Sequence, residues 1–452
     1  MSQGSRALSP SGARPHPGLG GTGLGPADSR PGRAPARLRG RRELGEPGFG
    51  GGGLAQHAGA GRGGRPLGLR GGRARAGRSR DRSGALRCGS PGGRDRGGSL
   101  RLKHEPLELE TTYEFRIALG GRRRHANTLV RIEHGGLTGL GEAAPSHYYG
   151  ESQALVEAAI AEWAPHLGDD PFALEAIERR LEGVLHFHRA ARAAIEMALH
   201  DWIGKRLGLP VWRLLGLDPA TTPLSCVTLG LATPEEMEKK LETLIDFPML
   251  KVKLGGPGDV DNLRRIRRRY SGSIRIDANT SWNASEAVRV LRAIEPLGIE
   301  LVEQPVPRED LDGLRWVRER SPIPVFADES VHSAGDIANL AGRVDGVNLK
   351  IMKSGGIREM LRTLHAARAH GMKVMLGSMV ESSLALSAAA QLAPLADYLD
   401  LDGHWLLARD PFDGAPREKG RIVLSDRPGL GVVPAERASP AGASRSRRGG
   451  RA

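Results

Sequence analysis

Two cysteines in 452 residues, Cys88 and Cys226, are too few for a disulfide framework or a thiolate metal centre. Aromatic residues make up only 4% of the chain, and Phe49 is the sole one among the first hundred. A surface that stacks nucleic-acid bases interleaves aromatics with cations, so this scarcity disfavours nucleic acid as a partner. No run of 18 uninterrupted apolar residues occurs, so no membrane-spanning helix is expected. The apolar core of a secretory leader is missing too, and a soluble cytoplasmic body is the expectation.

Lysine is also absent from the first hundred residues, which hold 19 Arg, 5 acidic residues and 29 of the 63 glycines. Their net charge of +14 equals that of the whole chain, and the other 352 residues balance 47 basic against 47 acidic groups. Such a segment buries too little apolar surface to offset its chain entropy. Residues 1–104 are therefore read as a disordered Arg/Gly-rich tail without a folded role. After Met1 the next methionine is Met197, so a start at the folded part would use another codon near Leu100 to Lys103. Residues 435–452, rich in Arg, Ser and Gly, are expected to be loose as well.

Between these ends the texture is that of an α/β protein. In residues 105–222, "LELETTYEFRIAL", "NTLVRIEH" and "LTGLGEA" alternate apolar and polar positions and are separated by glycine turns, the pattern of a small antiparallel meander. Helical periodicity follows at 151–166, 172–184 and 188–206, where Ile195, Leu199, Trp202 and Ile203 fall on one face. Residues 223–410 read differently. Eight short apolar strands, from "PLSCVTLG" to "DYLDLDG", alternate with amphipathic stretches such as "SEAVRVLRAI", as in a parallel (β/α) barrel. Residues 411–434, with "RIVLSDRPGLGVV", are expected to return to the first unit.

In a parallel barrel, chemistry gathers at the C-terminal strand ends. Asp277 ends the third strand in "RIDAN", Glu303 the fourth in "LVEQP" and Asp328 the fifth in "VFADES". One βα unit separates each from the next, so the three carboxylates converge on one mouth. The plain alternative is that each caps the following helix. Converging carboxylates repel unless a cation sits among them, and an all-oxygen donor set suits Mg²⁺ better than Zn²⁺.

Lys253 ends the second strand and Lys350 the sixth, flanking the acids from opposite sides. Lys251 lies two residues before Lys253 on the same strand face, and a neighbouring cation in a partly buried site loosens the proton on Lys253. Lys353 and Lys373 are expected to be solvated charges. Asp400 and Asp402, in "LDLDG" on the eighth strand, exceed what a metal needs and point to a positively charged group on the substrate. Ser378 and Glu381, in "GSMVESS", are placed to hold a substrate carboxylate or to cap a helix.

Taken in order, "KVK", "DAN", "EQP", "ADES", "NLKIMKSGG", "GSMVESS" and "DLDG" resemble the enolase superfamily, muconate-lactonising subgroup, over about residues 105–432. The resemblance implies a (β/α) barrel with an α+β capping domain, and 1,1-proton transfer through an enediolate, as enolase-superfamily sites perform it. It implies Asp277, Glu303 and Asp328 as Mg²⁺ ligands, Lys253 and Lys350 as the acid/base pair, and Asn279 as a support behind the metal ligands. Thr228, Lys251, Ser378, Asp400 and Asp402 would contact substrate. Within the subgroup, the strand-eight Asp-x-Asp is similar to that of dipeptide epimerases, where it receives the α-ammonium group. "GEAAPSHYYGES" resembles the mobile loop that sets specificity. Where Ala-Glu epimerases carry an arginine this chain has Gly120, with Arg122, Arg123 and Arg124 close by.

The expected activity is Mg²⁺-dependent epimerisation of a dipeptide at the α-carbon of its C-terminal residue. The rivals are muconate cycloisomerisation, o-succinylbenzoate synthesis and N-acylamino acid racemisation, and, from another class, a non-catalytic barrel whose tail binds nucleic acid. A homo-oligomer is allowed by the sequence but not specified by it.

Overall fold

The computed structural model describes residues 98–256, 258–414 and 420–435. The expected tails therefore lie outside the described residues, except that the first strand already begins at Arg101, four residues before the boundary expected from composition.

An antiparallel meander opens the described chain: β1 (Arg101–Ile117), β2 (Gly120–His134) and β3 (Leu137–Ala143), paired in that order. The β2–β3 turn is Gly135-Gly136, both with positive φ (53° and 77°), which suits the tight hairpin turn that glycine permits. Two helices pack on the sheet, α1 (Gln153–Trp163) and α3 (Arg189–Leu207), with α2 (Leu174–Val184) against α1, and the short α4 (Val211–Leu214) ends the unit. The glycines of "LTGLGEA" set the distance between sheet and α3. A Cβ on Gly139 or Gly141 would come within 1.9 Å of the carbonyl oxygens of Ala198 and Ala194.

The barrel follows as β4 (Val227–Leu229), α5 (Pro234–Leu244), β5 (Met249–Lys253), α6 (Asp259–Arg269), β6 (Ser273–Asp277), α7 (Ala284–Ile294), β7 (Ile299–Glu303) and α8 (Leu311–Arg318). It continues through β8 (Val325–Ala327), α9 (Ala334–Leu340), β9 (Gly346–Lys350), α10 (Ile351–Ser354), α11 (Ile357–Ala369), β10 (Lys373–Gly377), α12 (Ser383–Ala390) and β11 (Tyr398–Asp400). The eight strands run parallel in sequence order, and a bridge between Ser225 and Leu399 brings the last back to the first. Strands buried on both faces explain their nearly unbroken apolar character.

After the barrel, β12 (Phe412–Asp413) pairs with β13 (Val433–Pro434). Between them the chain runs back to α3, where the Leu430 amide donates to Asp201 Oδ1 at 2.9 Å and Gly429 O accepts from Val211 at 2.9 Å. The meander unit caps the C-terminal end of the barrel through buried polar bonds. Glu142, from β3, accepts the amide of Ser382 at 3.1 Å and its hydroxyl, at the start of α12. Burial pushes the Glu142 carboxyl up, and the bonds from Ser382, Asn127 and Ala385 oppose that.

Candidate active site

Position around the barrel decides which side chains can meet. With eight strands in sequential order, β5 and β9 lie four strands apart, on opposite sides of the mouth, and β6, β7 and β8 lie between them along one wall. Lys253 and Lys350 are the last residues of β5 and β9, Asp277 and Glu303 the last of β6 and β7, and Asp328 follows β8 directly. Asp277, Glu303 and Asp328 are all buried and offer oxygens within 4.8 Å of one another. None of them caps a helix: Asn283, Asp310 and Ser333 occupy the N-cap positions of α7, α8 and α9. The backbone turns sharply beside the acids, with positive φ at Asn279 (42°), Thr280 (67°) and Gln304 (35°), a concentration of strain of the kind that functional sites hold.

The lysines interlock with these acids. Lys253 Nζ donates to Asp277 Oδ2 at 2.6 Å, and Lys350 Nζ to Asp328 Oδ2 at 2.7 Å. Lys251 donates to Asp400 Oδ2 at 2.6 Å and pairs with Asp277 at 3.0 Å and Glu303 at 2.7 Å. The two ammonium groups on this strand face share a counter-ion, since Asp277 Oδ2 lies against both. Lys251 holds its proton tightly: burial alone would lower its pKa, but Asp277, Asp400 and Glu303 raise it well above the usual lysine range.

Lys353 departs from expectation. It is not a solvated charge but is buried, donating to Asp328 Oδ1 at 2.5 Å. Lys373 is exposed as expected, paired with Asp397 at 2.8 Å.

The acids respond unequally to burial. Burial, reinforced by the Asp277 charge, pushes Glu303 up to about 8. At Asp277 and Asp328 burial acts in the same direction, but the neighbouring lysines outweigh it and hold both carboxyls below their ordinary range. Glu329, beside Asp328, is pushed up to about 7 by burial and by the Asp328 charge. Glu303 and Glu329 are thus held up chiefly by burial and next by neighbouring carboxylates, and a small divalent cation among them would favour their charged forms. With only carboxylate oxygens in the converging set, the residues fit Mg²⁺.

On the far side of the mouth, opposite β7, β11 presents Asp400 and Asp402. Asp400 is engaged on both oxygens, by Lys251 and by the Cys226 thiol at 3.1 Å. Asp402 accepts the Thr228 amide at 2.6 Å through Oδ2, and its carboxyl is pushed up to about 6 by burial and the Asp400 charge. Ser378 Oγ accepts from the Gly403 amide at 3.3 Å, which ties the β10 loop to the β11 loop. Asn279 donates to Glu329 Oε1 at 3.1 Å and gives its backbone amide to Asp277 Oδ1 at 2.9 Å.

One cavity of about 540 Å³ is lined by Thr228, Lys251, Lys253, Asn279, Asp328, Lys350, Ser378, Asp400 and Asp402, and from the capping unit by the tip of the β1–β2 hairpin between Phe115 and Arg122 and by the segment Ala144–Tyr149. Glu381 is absent from that lining; it is buried and accepts the Met379 amide at 2.9 Å, while Ser382 caps α12. Of the three arginines near Gly120, Arg122 lines the cavity and Arg123 pairs with Glu110 at 2.9 Å. Sequence reasoning passed over Glu329, although it adjoins Asp328. It also undervalued Lys353, whose spacing from Lys350 across one helical turn was a usable signal.

Two family descriptions match the chain: mandelate racemase / muconate lactonizing enzyme, N-terminal domain, over residues 106–216, and enolase C-terminal domain-like over residues 234–438. Among curated relatives, an L-Ala-D/L-Glu epimerase of Bacteroides thetaiotaomicron is 39% identical over 75% of this chain and 88% of its own length. A hydrophobic dipeptide epimerase of a Flavobacteria bacterium is 33% identical over 74% and 98%. The crystal structure of a dipeptide epimerase from Enterococcus faecalis, complexed with Mg and L-Leu-L-Tyr, superposes with a TM-score of 0.71 at 32% identity, over 74% of this chain and 99% of that one.

Proposed function

The chain belongs to the enolase superfamily, among its racemases and epimerases, and from that membership we propose that it epimerises a dipeptide at the α-carbon of its C-terminal residue, with Mg²⁺ held by Asp277, Glu303 and Asp328. The observation that carries this reading is the opposition of Lys253 and Lys350 across the mouth, with the three carboxylates on the wall between them. Two bases facing one carbon from opposite sides suit inversion, whereas an elimination needs one.

When bound, the metal supplies a Lewis acid to the substrate carboxylate and offsets the charge that appears as the α-proton leaves. Asp277 Oδ2 and Asp328 Oδ2 accept the lysine protons, so each lysine would lose part of its counter-charge if these carboxylates held a cation. One lysine then takes the α-proton and the other returns one to the opposite face. Asp402, with Asp400 beside it, receives the α-ammonium group from across the barrel. Asn279 steadies Asp277, and Thr228 and Ser378 hold the two aspartate loops in place. The acidic pair favours a dipeptide over the subgroup's substrates that lack a free ammonium group.

The test is incubation with Mg²⁺ and an L,L-dipeptide library in D₂O, with deuterium at the α-carbon read by mass. Wild type is expected to incorporate deuterium into at least one dipeptide while inverting it. Lys253→Ala is expected to exchange only one stereoisomer. No exchange with any dipeptide overturns the reading.

A further inference from the structure

Two lysines, three residues apart, hold one aspartate in different ways. Lys350 lines the cavity and touches Asp328 Oδ2. Lys353 does not line it. Its ammonium donates to Asp328 Oδ1 at 2.5 Å, to the Asp328 main-chain oxygen at 2.5 Å and to Asn348 O at 3.1 Å. Three acceptors match the three donors of an ammonium group, so Lys353 has no proton left to give. The turn that carries it is itself anchored from the capping domain, since Arg189 donates to Lys353 O at 3.3 Å and Arg192 to Gly355 O at 3.4 Å.

We propose that Lys353 is a positioning residue for the metal site, clamping Asp328 Oδ1 and its main-chain oxygen so that Oδ2 alone faces Lys350 and the cation. This rests on the assignment of Asp328 as a metal ligand. A carboxylate held by one oxygen cannot swing to chelate with both, and its remaining oxygen is aimed before the metal arrives. The permanent clamp also separates two tasks. Lys353 balances the aspartate charge continuously, which leaves Lys350 free to part from it during proton transfer.

A lysine that merely neutralised charge would act with the opposite sign. It would repel a divalent cation close by, and its removal would tighten metal binding. A clamp, once removed, leaves Asp328 free to pair with Lys350 through both oxygens, and metal binding weakens. Outer partners of metal ligands typically contribute about 10–100-fold in affinity.

The experiment compares Mn²⁺ binding to wild type, Lys353→Met and Lys353→Gln by the electron-spin-resonance signal of free Mn²⁺, with far-UV circular dichroism to verify folding. Lys353→Met is expected to bind Mn²⁺ about 10–100-fold more weakly, with Lys353→Gln in between because it keeps a donor. The metal concentration for half-maximal turnover should rise by the same factor, while turnover at saturating metal falls less. Unchanged or tighter binding in a folded variant overturns the proposal. If neither variant folds, the residue is a structural counter-ion and the proposal fails. If wild type itself binds no Mn²⁺, the metal assignment falls, and the clamp with it.

Discussion

Glu196 sits on α3 where the capping domain meets the barrel, and its Oε1 accepts the backbone amide of Arg358 at 3.1 Å, in the first turn of α11. Its Oε2 has no hydrogen-bond partner among the described residues and lies against Gly356, where a Cβ would come within 1.4 Å of it. Burial pushes this carboxyl up to about 8, with Glu178 adding to the effect and Arg358 and Arg192 opposing it.

In the unfolded chain the group titrates near 4.5. The folded state therefore binds the extra proton between these values, and stability falls as pH rises through that window. The full difference has a ceiling of about 5 kcal/mol, of which about 4 kcal/mol accrues between pH 5 and pH 9. Glu196→Gln keeps the acceptor for the Arg358 amide and removes the titration. Any constant cost of the amide cancels when the variant is compared with wild type at two pH values. Denaturant unfolding at pH 5 and pH 9 should show wild type losing up to about 4 kcal/mol that the variant keeps. If the two proteins change in parallel to within about 1.4 kcal/mol, the worth of one pKa unit, Glu196 does not carry the proton assigned to it.

Asp402→Asn should raise KM for dipeptides far more than it lowers turnover at saturation, read by steady-state kinetics; equal KM values would place the ammonium group elsewhere. Lys251→Met leaves Asp277, Glu303 and Asp400 without their shared cation, and should cost about 3–5 kcal/mol of stability in EDTA, as loss of one partner from a buried ion pair does. Part of that loss should return on addition of Mg²⁺, visible as a larger Mg²⁺-dependent rise in Tm than in wild type.

Much of the site was legible because its grammar is local. A strand ends, an acid follows, and the interval to the next is one βα unit, so Asp277, Glu303 and Asp328 announce a common mouth without any knowledge of contacts. The same holds for the meander, whose turn glycines and period-two patterning lie within a few residues of one another. What local grammar could not supply is the partner of Lys253. Beside its sequence neighbour Lys251 it meets Asp277 Oδ2, 24 residues away, which both lysines share.

The order of motifs along the chain therefore determined the fold, the family and the carboxylate wall, since strand alternation and βα spacing are properties of adjacent residues. Which charge meets which was decided only by tertiary structure. Lys251 reaches Asp400 across 149 residues, and Glu142 ties the capping domain to Ser382 across 240. Lys353 turned inward because the strands around it supplied three oxygens within reach, and a buried ammonium group is tolerated only where its protons are accepted.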